Sequence, residues 1–380
     1  MFTKQQIERF KTIETPFYYY DLELLQKTLE AIKKAAPKEY HIHYALKANS
    51  NPELLKLIKE GGFGADCVSG NEVKRAVEMG FPSKDIVFAG VGKSDAEINY
   101  ALDKDIFCFN VESTSELTVI NELAKAKNKT AKVAIRINPN VDAHTHKYIT
   151  TGLEENKFGI NPYEFDVVLN LIKTLPNIKL IGLHFHIGSQ ITSLTPFKNL
   201  CTRVNEINQW FIEKGYLLPN INLGGGLGIN YQEPDKESIV DFEAYFNVFK
   251  QFLELKPSQA VHFELGRAII AQCGSLISRV LYIKNGINTN FAILDAGMTE
   301  LIRPALYQAY HKIENLTNTT TPNVKYDVVG PICESSDCFG KAVLLPETKR
   351  GDLMAIRSAG AYGEVMSSAY NLRDLARSIF

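Results

Sequence analysis

Short apolar, β-rich runs alternate with longer stretches of helical period through about residue 270. The strand-like runs are His41–Lys47, Phe63–Ser69, Ile86–Val91, Cys108–Glu112, Lys132–Asn138, Leu180–Gly188, Ile221–Gly226 and His262–Arg267. Between them, the spacing of apolar positions predicts helices over Pro52–Glu60, Asn71–Met79, Asp95–Leu102, Ser115–Ala126, Pro162–Leu175, Pro196–Lys214 and Asp241–Leu253. Several open on a capping or first-turn residue: Asn51-Pro52, Ser69-Gly70-Asn71, Ser94-Asp95, Asn161-Pro162 and Thr195-Pro196. Strand–helix alternation means parallel strands joined by helical crossovers. Eight such units in about 230 residues suit a (β/α)8 barrel. A doubly wound open sheet is the alternative, although no GxGxxG turn follows the first strand.

Beyond residue 270 the pattern changes. Cys273–Ile283, Asn290–Leu294, Lys325–Val329, Lys341–Leu345 and Asp352–Ile356 read as strands without regular helices between them, and Asn315–Asn323 as a polar loop. Thr15–Tyr20, ahead of the barrel, is also β-rich. The expected organisation is a barrel over residues 22–270. Residues 1–21 and 271–380 would form a second, antiparallel β domain of Greek-key or β-barrel type.

Composition adds exclusions. A chain of 380 residues exceeds what one hydrophobic core usually serves, in keeping with two domains. Its 42 basic and 43 acidic residues leave a net charge of −1, so no global field favours nucleic acid or an anionic membrane. Residues 1–15 lack an apolar signal core, and no apolar run reaches membrane-spanning length. The six cysteines include no CxxC pair, and the expectation is reduced thiols in the cytoplasm.

Barrel enzymes work at the C-terminal ends of their strands. The first strand ends in Lys47, where desolvation can free an amine for a Schiff base; the plainer reading is a strand-end lysine snorkelling to solvent. The seventh ends in Gly224-Gly225-Gly226-Leu227-Gly228 and the eighth in Glu264-Leu265-Gly266-Arg267. Loops after strands seven and eight commonly hold phosphate, and glycines let backbone N–H groups approach an anion. A tight turn is the plainer reading of such glycines. Lysine, phosphate site and acid together suggest pyridoxal phosphate, whose ring nitrogen needs an acidic partner to stay protonated. Glu264 is placed for that, or is simply a salt-bridged carboxylate. In the sixth strand His184 and His186 fall on one side. His186 against the cofactor ring and Ser189 near its phosphate is the favoured reading, over a metal pair or hydrogen-bonded interior histidines. The pairs His41/His43 and His144/His146 are read as strand and loop residues, not metal sites.

The second domain has three unusual places. Arg303 precedes Pro304 at a helix start with Tyr307 one turn in, so both could face one ligand. Cys333-Glu334-Ser335-Ser336-Asp337 follows the Gly330-Pro331 loop, and Tyr362 lies in Ala359-Gly360-Ala361-Tyr362-Gly363 after a strand. Taken singly, each has a structural explanation: capping for Arg303, a buried thiol for Cys333, packing for Tyr362.

In order along nearly the whole chain, TPFYYYD (15–21), YALKAN (44–49), GADCVSGNE (64–72), HFHIGSQI (184–191), GGGLGI (224–229), ELGR (264–267), RPALY (303–307), CESSD (333–337) and AGAYG–SSAYN (359–371) resemble the diaminopimelate decarboxylase family. GGGLG alone says little; the ordered set with CESSD and AGAYG is specific. Leu265 departs from the family, where proline is frequent, at a backbone position. The resemblance implies decarboxylation of meso-2,6-diaminopimelate to L-lysine and CO2, the last step of lysine biosynthesis, with pyridoxal 5'-phosphate. It implies that Lys47 carries the cofactor, Glu264 meets its ring nitrogen and His186 stacks on the ring. Gly225, Gly226, Gly228, Ser189, Gly266, Arg267 and Tyr362 would hold the cofactor, with Arg267 and Tyr362 also near substrate. Arg303, Tyr307 and Glu334 would bind the far end of the substrate, and Cys333 would return the proton. Cys333 and Glu334 would come from the partner subunit of an obligate homodimer with shared sites. Relatives acting on ornithine, arginine or lysine are the nearest competitors, but Arg303 suits a second carboxylate that those substrates lack. A racemase and a pyridoxal-phosphate carrier fit less well, given the CESSD segment and the roughly hundred-residue β domain.

Overall fold

The computed structural model describes residues 2–141 and 157–380. The pair His144/His146 lies outside them. The chain divides into two compact units, Thr28–Gly228 with Asp241–Gly266, and Met1–Lys27 with Ile229–Val240 and Arg267–Phe380.

Strand β1 (Phe17–Tyr20) precedes the first of these units. There β2 (Tyr40–Ala45), β3 (Gly64–Cys67), β4 (Ile86–Phe88), β5 (Cys108–Val111), β6 (Ala131–Ile137), β7 (Ile178–Phe185), β8 (Asn220–Asn222) and β9 (Ala260–Leu265) form a closed barrel. Every pairing is parallel, and β9 returns to β2 with Tyr40 opposite Val261. The eight anticipated strands are therefore the eight of the barrel, most of them shorter than the apolar runs that announce them. Both faces of a parallel sheet are covered, which is why every residue of β3, β4 and β5 is buried. The helices start where capping residues announce them. Asn51 accepts from the Glu53 N–H, Ser69 from the Glu72 N–H, and Ser94 with Glu97 forms a capping box.

Inside the barrel His43 and His262 form a buried pair. His43 Nε2 lies 3.0 Å from His262 Nδ1, and His43 Nδ1 lies 3.0 Å from the Asp85 carbonyl oxygen. Burial lowers both imidazoles, His262 to about 2. A base depressed on folding stays neutral in the native state but takes a proton when unfolded, so its stabilisation is present above the unfolded pKa of about 6.5. It is lost progressively as pH falls below that value. Stability to urea should therefore drop between pH 6.5 and 4.5, with a slope of up to about 1.4 kcal/mol per pH unit from each such histidine. His262→Phe should make that slope shallower; equal slopes in variant and wild type would contradict it.

The second unit holds β1 with β10 (Gly274–Asn285), β11 (Asn290–Leu294), β12 (Ile313–Asn315), β13 (Val324–Val329), β14 (Cys338–Leu345), β15 (Leu353–Ile356) and β16 (Arg377–Ile379). The order is β12-β15-β10-β11-β13-β14, with β1 between β10 and β16. Most pairs are antiparallel; β11–β13 and β1–β16 are parallel. Phe17 pairs with Ile277, and both pack with Phe10, Tyr19 and Leu353 in one apolar cluster.

Candidate active site

In the barrel unit, Lys47 lies just past β2, in the short 3-10 turn Leu46–Ala48 rather than in the strand itself. Leu46 and Ala48 are buried and pin the turn, while the Lys47 side chain keeps 39% of its surface exposed. Its Nζ stands 3.5 Å from Oδ2 of Asp66, a fully buried residue of β3. Burial, and then the charge of Glu264, push the Asp66 carboxyl up, with Lys47 opposing. Its second oxygen, Oδ1, has no hydrogen-bond partner among the described residues.

Glu264 ends its run of bonds deep in the barrel. Its Oε1 accepts from Asn110 Nδ2 at 3.0 Å and Asn222 Nδ2 at 2.7 Å, and its Oε2 lies 2.9 Å from His184 Nε2. Burial alone would raise this carboxyl. The charge and hydrogen bond of His184, with Lys47 and His186 behind them, hold it well below the usual carboxylate range. Three neighbours therefore fix an ionised acid. His184 and His186 play different parts: the first is buried against Glu264, and the second lies one residue past β7. The Gly225 N–H donates to His186 Nδ1 at 3.3 Å, and burial keeps that imidazole far below its ordinary value.

The glycine loop after β8 is shaped by close backbone approach. A Cβ on Gly225 would stand 1.9 Å from the Glu264 carbonyl oxygen. Gly226 has φ +105°, and a Cβ there would stand 2.6 Å from the Gly188 carbonyl oxygen. The Ile191 N–H donates to the Gly226 carbonyl and the Gly228 N–H to the Ile191 carbonyl, each at 2.9 Å. This lacing brings the Ser189 turn and the glycine loop together, two segments that the sequence read separately as phosphate-binding.

The other unit gathers a second set. Arg267, first residue of a short helix, donates from Nη1 to the Tyr231 hydroxyl at 2.6 Å and lies 4.8 Å above the Tyr362 ring. Arg303 opens the helix Arg303–Tyr307, is 5% exposed, and lies 5.4 Å above the Tyr231 ring. Among the described residues its hydrogen-bond partner is an imidazole, His311, and no carboxylate pairs with it. Tyr362 sits beyond the end of β15, in a turn with φ 57°, a conformation rare for an aromatic residue. Cys333 and Glu334 are exposed, yet their loop is tied down. The buried Asp337 carboxylate accepts the Met298 and Ile332 N–H groups, both at 2.7 Å. The Glu334 carboxylate accepts from the Tyr370 hydroxyl at 2.7 Å and from the Ser336 hydroxyl at 3.1 Å.

The barrel set fits pyridoxal phosphate on its own geometry. It offers an amine just past a strand end, a buried acid held ionised, a buried Asp66 oxygen awaiting a partner, and a glycine cradle with no room for a side chain. These features define a barrel-type pyridoxal enzyme. The family described as pyridoxal-dependent decarboxylase, pyridoxal binding domain, matches residues 22–271. A diaminopimelate decarboxylase of Bacteroides thetaiotaomicron is 59% identical over 373 residues, covering 98% of this chain and 96% of the relative. One from Aquifex aeolicus is 41% identical, covering 98% and 88%. The crystal structure of Helicobacter pylori diaminopimelate decarboxylase complexed with L-lysine is 40% identical with a TM-score of 0.92, covering 99% of this chain and 94% of that one. The chain belongs to the diaminopimelate decarboxylase family, and its cofactor is pyridoxal 5'-phosphate.

Asp66, Asn110, Asn222, Tyr231 and His311 carry no motif role in the sequence. Asp66 sits within GADCVSGNE, which is the one signal that could have marked it.

Proposed function

We propose that this chain decarboxylates diaminopimelate at one of its two amino-acid centres and releases lysine and carbon dioxide. The observation that carries the substrate is Arg303, a buried guanidinium paired with an imidazole and with no carboxylate among the described residues. A cation removed from water without a counter-ion is costly, so the site suits a ligand bearing a carboxylate at that end. Ornithine and lysine, as substrates, have none to spare.

Bound pyridoxal phosphate supplies an electron sink for the charge left behind when carbon dioxide departs. Lys47 would hold the cofactor through Nζ. Glu264, kept ionised by its neighbours, would accept a hydrogen bond from the ring nitrogen and keep it protonated. His186 would stack on the ring. Ser189, Gly225, Gly226, Gly228 and Gly266 would hold the phosphate, and Arg267 and Tyr362 are assigned to the cofactor as well. Arg303 takes the distal carboxylate by two parallel hydrogen bonds, Tyr307 adds a third, and Glu334 pairs with the distal ammonium. Cys333 delivers the proton that replaces the lost carboxyl group.

We assign Cys333 and Glu334 to the active site of a partner subunit in a homodimer. Their exposure on a loop anchored by Asp337 supports this, because they are held in place while facing outward. We take the barrel of residues 22–270 as the cofactor domain and residues 1–21 with 271–380 as the domain that lends these groups. Six unpaired thiols suit the reducing cytoplasm. Incubation with pyridoxal phosphate and meso-diaminopimelate, with lysine and carbon dioxide assayed, tests the reading. Turnover of ornithine or lysine in preference to diaminopimelate would overturn it.

A further inference from the structure

The hydrogen bonds around Arg303 leave its imidazole partner a single workable state. His311 is 2% exposed. Its Nδ1 lies 2.8 Å from the Arg357 carbonyl oxygen, and its Nε2 accepts from Arg303 Nε at 3.3 Å. A carbonyl only accepts, so Nδ1 carries the proton; a guanidinium only donates, so Nε2 offers its lone pair. Both neighbours demand the same neutral tautomer. A proton on Nε2 would set two N–H groups against each other, and burial with the charges of Arg303 and Arg267 pushes the imidazole down to about 3.

The other end of this relay is fixed. The Arg357 N–H donates to the Lys312 carbonyl at 2.9 Å, and the Arg357 guanidinium pairs with Asp235 at 2.8 Å and Glu314 at 2.7 Å. Tyr231 closes the group from the side. Its ring meets His311 edge-on at 5.1 Å.

We infer that His311 is a positioning residue for Arg303: by occupying Nε, it turns the two terminal Nη groups toward the ligand carboxylate. A guanidinium can grip a carboxylate through Nε with one Nη, or through both Nη groups. With Nε engaged, the second fork remains. This inference rests on the reading that Arg303 takes the distal carboxylate.

Two polar substitutions separate positioning from packing. His311→Gln can keep an acceptor near the Nε2 position. His311→Asn can keep a donor near Nδ1 but loses that acceptor. The measurements are KM and kcat for diaminopimelate, with inhibition by L-lysine, which retains a carboxylate at the distal end, and by cadaverine, which has no carboxylate. The Asn variant should raise KM and the lysine inhibition constant at least about tenfold, the scale of one hydrogen bond to a charged group. Its kcat should stay within about twofold, and cadaverine inhibition should not move. The Gln variant should stay within about threefold of wild type throughout. Equal behaviour of the two variants, or cadaverine weakened as much as lysine, would overturn the inference and leave His311 a packing residue. Wild-type protein that ignores diaminopimelate would instead overturn the substrate reading, and this inference with it.

Discussion

Lys47→Ala should lower kcat by at least about 10⁴-fold, because the variant loses the amine that anchors the cofactor covalently. Borohydride should fix pyridoxal phosphate to Lys47 in the wild type and to no residue in the variant. Labelling of a different lysine, or a reducible linkage that survives Lys47→Ala, would place the nucleophile elsewhere. The same variant tests the proposal that two subunits share each site. Cys333→Ala should also be nearly inactive alone. After subunit exchange about half the dimers are mixed, and each mixed dimer has one intact site, so roughly a quarter of wild-type activity should return on mixing the two variants. No recovery despite demonstrated exchange would put Cys333 in the same subunit as Lys47, or outside the site.

Arg303→Ala should reduce kcat/KM for diaminopimelate by roughly 30-fold to several-thousand-fold. Truncating one partner of a buried charge pair costs about 2–5 kcal/mol, and each 1.4 kcal/mol is about a decade. Cofactor binding should survive, because the residues assigned to the ring and to the covalent link belong to the barrel. In the wild type, lysine and ornithine bound for decarboxylation bring no distal carboxylate to the buried guanidinium, which supports discrimination on the order of 10⁴-fold. The experiment compares kcat/KM for all three amino acids in both proteins. A variant that loses nothing on diaminopimelate would remove Arg303 from substrate recognition.

The barrel was readable because its signal is periodic and repeated. Eight β-rich runs separated by helical spacing leave few topologies, and capping residues such as Asn51, Ser69 and Ser94 marked helix starts almost to the residue. Strand ends were less legible. The apolar run at 41–47 continues through Leu46, but the backbone has already turned into a 3-10 loop there, so Lys47 caps the barrel rather than ending a strand. The three-residue strands Ile313–Asn315 and Arg377–Ile379 are too short to show a period, and they exist because β15 and β1 supply partners. In the site, residues with motif neighbours could be found from sequence. The support of Glu264 could not: Asn110 lies 154 positions away and Asn222 lies 42 away, and only closure of the barrel brings their amides to one oxygen. His311 is hidden for the same reason, since its role is set by a carbonyl 46 residues downstream.

One backbone contact has a consequence for how the cofactor is received. Gly225 lies so close to the Glu264 carbonyl that a methyl group would not fit between them, and its N–H is turned to His186. The loop assigned to the phosphate and the strand assigned to the ring nitrogen thus meet main chain to main chain, where the Glu264 N–H also donates to the Gly224 carbonyl at 2.8 Å. The span between anion cradle and acid is set by covalent geometry and packing before any ligand arrives, so the barrel behaves as a gauge of molecular length. A molecule whose charged ends match that interval settles without rearranging the protein, and little of its binding energy goes to ordering the site. Any side chain at position 225 would lengthen the gauge, and the expected signature is a weaker hold on the cofactor at both ends simultaneously.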